Sequence, residues 1–70
     1  MKLAEKLRKY REEKGYTQEA MANSIGVSYG TYNSMENSKT DIRFSLLEKC
    51  AKTLNISLLE LLPDEYKEDL

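Results

Sequence analysis

Apolar residues recur at helical spacing in five short stretches, each bounded by residues that start or stop helices. Leu3, Leu7 and Tyr10 share one face of a helix expected over residues 2–14, which Gly15 ends. Met21, Ala22 and Ile25 mark a second over 18–24, opened by the N-cap type Thr17 and closed by Gly26, where a chain leaving a helix often needs positive φ. Val27 turns back to the core, Ser28 is suited to cap a third helix over 29–36, and Tyr32 and Met35 carry its apolar stripe. A polar loop, residues 37–44, follows. Leu47, Cys50, Ala51 and Leu54 predict a helix over 46–54, with Ser45-x-x-Glu48 at capping-box spacing. Asn55 tolerates the left-handed conformation at its end. Ser57-x-x-Glu60 is a second capping box, opening Leu58–Leu62, and Pro63 stops that helix. No alternating strand pattern and no internal repeat interrupts this order, so the expected class is all-α.

Composition narrows the picture. Seventy residues support one modest core. No apolar run approaches the roughly 20 residues of a membrane span, and the charged N-terminus MKLAEKLRKYREEK is not a signal peptide. A single cysteine forms no internal disulfide, so a cytoplasmic home is expected. With no histidine in the chain, histidine-based catalysis and histidine metal sites are excluded. Cys50, on an apolar face, reads as a small buried hydrophobe. Tyr10, Tyr16, Tyr32 and Phe44 read as core or rim packing. The net charge is −1, but residues 60–70 carry five acids and one lysine, a net of −4, which leaves +3 on residues 1–59. Helix one holds six bases and the loop after helix three holds Lys39 and Arg43, whereas residues 15–38 contain no Lys or Arg. Phosphate contacts from that segment must come from neutral donors and helix N-termini.

A helix, a short turn with glycine and a second helix make up the unit whose second helix enters a DNA major groove. Residues 17–38, TQEAMANSIGVSYGTYNSMENS, have that layout. The chain here resembles the Cro/repressor-like (XRE) helix-turn-helix family: Gln18 opens the unit, Ala22 is the small residue at the helix crossing, Gly26 is the turn glycine and Val27-Ser28 starts the second helix. Leu7…Tyr10-Arg11…Gly15-Tyr16-Thr17-Gln18 is similar to the family's first helix and link, and Leu47…Ala51…Leu54-Asn55-Ile56-Ser57…Leu61 to its last two helices. The likeness runs from about Leu3 to Leu62. It implies a compact five-helix lambda-repressor-like domain over 1–62, followed by a short acidic tail over 63–70. It departs from the pattern at Ser38, which replaces a glycine and leaves Asn37 to take the left-handed turn, at Ile42, where proline is common, and at Tyr32, which replaces a small aliphatic residue.

The resemblance also assigns roles. It implies base reading by Tyr29, Gly30, Thr31, Asn33 and Ser34, backbone contacts by Thr17, Gln18, Ser28, Lys39 and Arg43, and a structural pair between Arg11 and Glu36. Asn33 is the side chain best suited to an adenine edge. Gly30 reads nothing by side chain and costs roughly 1 kcal/mol of helix propensity against alanine. Helix five carries more leucine than so small a domain buries; Leu59, with Tyr66 and Leu70, is the expected homodimer surface. Two function classes follow. One is a sequence-specific transcriptional regulator, usually a repressor, binding double-stranded DNA at a two-fold operator; the other is a protein-interaction module of the same fold, antitoxin-like or regulatory. Enzyme chemistry has no nucleophile–base pair, phosphate-cradling loop or metal cluster to rest on. No cofactor, small-molecule ligand or membrane partner is expected.

Overall fold

The computed structural model describes residues 2–37 and 42–62. Within them lie five helices: α1 Leu3–Glu13, α2 Gln18–Ile25, α3 Tyr29–Asn37, α4 Phe44–Leu54 and α5 Leu58–Leu61. α2 packs against both α3 and α4, while α1 crosses α3, α4 and α5. The core they enclose holds the stripes read from the sequence: Leu7 from α1, Met21, Ala22 and Ile25 from α2, Tyr32 and Met35 from α3, Cys50, Ala51 and Leu54 from α4, and Leu61 from α5.

Three of the helices end the same way. After α1, α2 and α4 a residue adopts the left-handed conformation: Gly15 at φ 80°, Gly26 at φ 77° and Asn55 at φ 57°. At each end two backbone N–H groups fold back onto the last turn, Tyr16 to the Arg11 carbonyl, Val27 to that of Ala22 and Ile56 to that of Ala51, each at 3.0 Å, with the preceding residue bonding to the next carbonyl along. This is the Schellman closure, which usually brings an apolar residue back against the helix. Here Tyr16, Val27 and Ile56 all pack on the core. One local device therefore stops three helices and supplies three side chains to the interior.

The helix starts are less uniform. Thr17 Oγ1 accepts from the Ala20 N–H at 3.0 Å, and Ser28 Oγ accepts from the Thr31 N–H at 3.1 Å, so both expected caps at the helix-turn-helix are formed. Ser45 is not a cap. α4 begins two residues earlier than the stripe suggests, because Leu46 and Leu47 both bond to the Arg43 carbonyl and draw Phe44 and Ser45 into the first turn. Arg43 takes the N-cap position without a side-chain bond. Ser57 stands at the N-cap of α5, but its hydroxyl caps nothing and the turn is closed by its carbonyl, accepting from Glu60 N–H. Phe44 is 57% exposed rather than packed at the rim, since the earlier helix start carries it off the buried face. Asn37 remains helical as the last residue of α3, so it is not the left-handed residue after it. Ser38, Lys39, Pro63, Tyr66 and Leu70 lie outside the described residues.

Candidate nucleic-acid interface

α3 is divided lengthwise by its own periodicity. Tyr32, Met35 and Glu36 face inward and are buried. Tyr29, Gly30, Thr31, Ser34 and Asn37 are exposed, with Asn33 half-buried beside them. The exposed face is polar apart from Tyr29, which is 55% exposed. The turn of Gly26 sets the angle at which α2 presents this face. Gly30 has no packing reason to be glycine: a Cβ built there meets nothing within 4 Å, and its φ is not in the left-handed range.

The support beneath this face centres on a carboxylate. The Glu36 side chain has no exposed surface. Arg11 donates Nε to its Oε2 and Nη2 to its Oε1, the latter at 3.2 Å, a paired geometry that suits a planar guanidinium. Arg11 Nη1 also donates to the Tyr16 carbonyl at 2.7 Å, so one side chain ties α1, the link and α3 together. Gln18 donates from Nε2 to Glu36 Oε1 at 3.1 Å, and Arg8 Nε stands 3.5 Å from the same oxygen. Burial opposes the Glu36 charge, but Arg11 first, then the neighbouring Tyr32 hydroxyl and the Gln18 amide, outweigh it and hold the carboxyl below its ordinary range. The hydrogen bond to Glu36 conversely raises Arg11.

Tyr32 lies against this network. Its hydroxyl is buried and falls outside strict hydrogen-bond geometry, yet the Glu36 carboxylate is near enough to act on it as a poorly aligned acceptor. Burial first, and that carboxylate second, push the phenol far up.

Several of these side chains have definite duties within the fold. Arg11 and Glu36 are in contact. Gln18 donates one amide proton to Glu36, and its nitrogen carries a second. Thr17 accepts a backbone bond through Oγ1 and is exposed. Ser28 donates to Thr31 Oγ1 at 2.9 Å, which engages its proton within the helix start. Arg43 is exposed at the opening of α4. Lys6 is buried, and its Nζ donates to the Leu62 carbonyl at 2.8 Å, fastening α1 to the end of α5. Lys6, Arg8 and Arg11 therefore serve the fold, and the positive charge of α1 is smaller as a phosphate footprint than its six bases imply. Nothing in the spacing marks Lys6, because a lysine beside an apolar stripe normally keeps its head in water. Among the described residues no group of three metal-ligating side chains is assembled, and no helix is long and apolar enough to cross a membrane.

Comparison with known proteins agrees with this architecture. A helix-turn-helix family model matches residues 7–61. The chain is 38% identical over 69 residues to the control protein C.MunI of Mycoplasma sp, covering 97% of this chain and 93% of that protein. It is 35% identical over 60 residues to YazB of Bacillus subtilis, an uncharacterised HTH-type transcriptional regulator, covering 86% and 87% of the two. Among solved structures it superposes on the biofilm regulator SinR in complex with DNA with a TM-score of 0.79 and 31% identity, covering 87% of this chain and 98% of that one. This chain belongs to the Cro/repressor-like (XRE) helix-turn-helix family of DNA-binding transcriptional regulators.

Proposed function

We propose that this protein is a transcriptional repressor that binds a two-fold operator as a homodimer, with α3 in the major groove. The observation that carries the reading is the polar, exposed face of α3 set on a rigid base. Gly30 supports it independently, because a helix that gives up propensity without a packing reason gains close approach of its backbone to another surface. Tyr29, Thr31, Asn33 and Ser34 read base edges. Thr17, Gln18 and Arg43, together with Lys39, position the phosphate backbone, with Ser28 contributing through its backbone at the start of α3 alongside the N–H groups that open α2. SinR, a similar protein solved in complex with DNA, supports DNA as the partner.

Selection from random-sequence DNA with the purified chain tests the assignment. Asn33→Ala is expected to relax preference at one or two base pairs, each worth about 1–3 kcal/mol. Gln18→Ala is expected to weaken all sequences about equally, as loss of a backbone contact does. Binding to bulk DNA should fall steeply with salt through counterion release. A consensus unchanged by Asn33→Ala removes α3 from base reading, and salt-independent association favours a protein partner instead.

Two half-sites about 34 Å apart require a two-fold dimer. Leu59 is 49% exposed on α5, while Leu58 packs on the core and Leu61 is wholly buried. Leu59 is the centre of the proposed dimer surface, with Tyr66 and Leu70 as its extension. A patch of this size supports weak association in the absence of DNA. Sedimentation across a concentration series should show a monomer–dimer equilibrium that Leu59→Glu shifts to monomer, with weaker operator binding and an unchanged melting temperature. A monomer at every concentration, with operator binding unaffected by the substitution, overturns this surface.

A further inference from the structure

The outer face of α3 is wired to α1 by a chain of hydrogen bonds with a direction. Asn37, one turn beyond Asn33, donates from Nδ2 to Asn33 Oδ1 at 2.9 Å. Asn37 Oδ1 in turn accepts from Arg8 Nη2 at 2.8 Å. Arg8 is drawn to this place by Glu36, whose Oε1 is 3.5 Å from its Nε. A carboxamide alone turns over at little cost, because its oxygen and nitrogen ends are nearly the same shape. A guanidinium has donors only. Arg8 therefore admits one orientation of Asn37, oxygen toward the guanidinium. The Asn37 nitrogen then points along α3 and admits one orientation of Asn33, oxygen toward Asn37. What remains for the groove is the Asn33 nitrogen with its two protons, and a second lone pair on the oxygen.

We propose that Arg8 and Asn37 are positioning residues that set which end of Asn33 is offered to a base, so that the chain selects a hydrogen-bond acceptor at the position Asn33 reads. In the major groove those acceptors are purine N7, guanine O6 and thymine O4, whereas cytosine presents the N4 donor. The inference rests on the placement of α3 in the groove and adds a polarity to it. Neither positioning residue needs to touch a base.

Asn37→Asp reverses the relay without changing its shape. A carboxylate accepts on both oxygens, so it keeps Arg8 on one and must accept a hydrogen bond from Asn33 Nδ2 on the other. Asn33 then offers its oxygen outward. Random-sequence selections with wild type, Asn33→Ala, Asn37→Asp and Arg8→Met locate the position first, as the one where Asn33→Ala loses preference. There, wild type is expected to disfavour cytosine, Asn37→Asp to raise cytosine relative to wild type by about tenfold, and Arg8→Met to flatten the preference without inverting it. The added negative charge lowers overall affinity, but the base ratio at one position is internal to each selection. An unchanged ratio in Asn37→Asp, where Asn33→Ala does abolish preference, overturns the relay and leaves the groove assignment standing. A consensus unmoved by Asn33→Ala overturns both. Should Asn37→Asp fail to fold, side-chain amide exchange in the free protein decides: faster exchange of the Asn37 amide protons in Arg8→Met supports the relay, and an unchanged rate overturns it.

Discussion

Glu36→Ala is expected to destabilise the protein by about 3–5 kcal/mol, the usual consequence of removing one partner from a buried ion pair. The substitution leaves Arg11 half-buried without its carboxylate and orphans the Gln18 amide at the same time. For 70 residues the whole stability is roughly 4–10 kcal/mol, so the loss is a large fraction of it and lowers the melting temperature by roughly 15–30 °C. Thermal and urea unfolding monitored by circular dichroism measure it. A change within error would make the network ornamental, as exposed ion pairs commonly are. The same carboxylate gives the protein an acid limb. In the unfolded chain Glu36 takes up its proton near the ordinary value of 4.5, whereas in the native state it resists protonation to lower pH. Its stabilising contribution is therefore fully present above that ordinary value and is lost as pH falls through the lowered native one. Glu36→Gln should be less stable than wild type at neutral pH and show a flatter acid limb. An acid limb as steep as that of wild type would assign the effect to other carboxylates.

Tyr32→Ala is expected to cost about 3–5 kcal/mol, whereas Tyr32→Phe should leave stability unchanged or raise it by up to about 1 kcal/mol. The ring is wholly buried between the helices, so its loss opens a cavity at the centre of the core. The hydroxyl is a different matter. It is buried without a well-aligned hydrogen-bond partner, and a donor left in that state is a net cost that phenylalanine does not bear. Urea unfolding of both variants, with the slope checked for constancy, separates ring from hydroxyl. A loss of more than 1 kcal/mol in Tyr32→Phe would mean that the hydroxyl does bond to Glu36 in solution, and that the carboxylate draws part of its low proton affinity from it.

Five helices, their order and most of their buried positions were legible in the sequence, because each depends on spacing and on residues with narrow backbone preferences. Gly15, Gly26 and Asn55 announce three helix ends before any packing is known, since few other residues take positive φ at low cost. Thr17 and Ser28 announce two starts for the same local reason. The start of α4 was misread because Ser45-x-x-Glu48 is a cap only if the backbone before it is extended, and here Arg43 closes the turn first. The helix-turn-helix arrangement, and with it the outward face of α3, follows from these short-range rules alone.

The polar network did not. Spacing says nothing of whether a lysine or glutamate on a helix ends in water or in a neighbour, because that depends on which elements cross and at what depth. Lys6 reaches Leu62 across 56 positions, and Gln18 reaches Glu36 across 18. Arg8 looked like one of six surface bases, yet its distance from Asn37 in space is set by how α1 lies on α3. The direction of the Arg8–Asn37–Asn33 relay is further removed still, since it depends on the donor-only character of one group acting through two amides on another helix. By itself the sequence determined where the chain turns and which residues are apolar; only the tertiary structure decided which charges are committed to the fold and which stay at the surface, because hydrogen bonds between distant residues exist only after the hydrophobic stripes have brought their helices together.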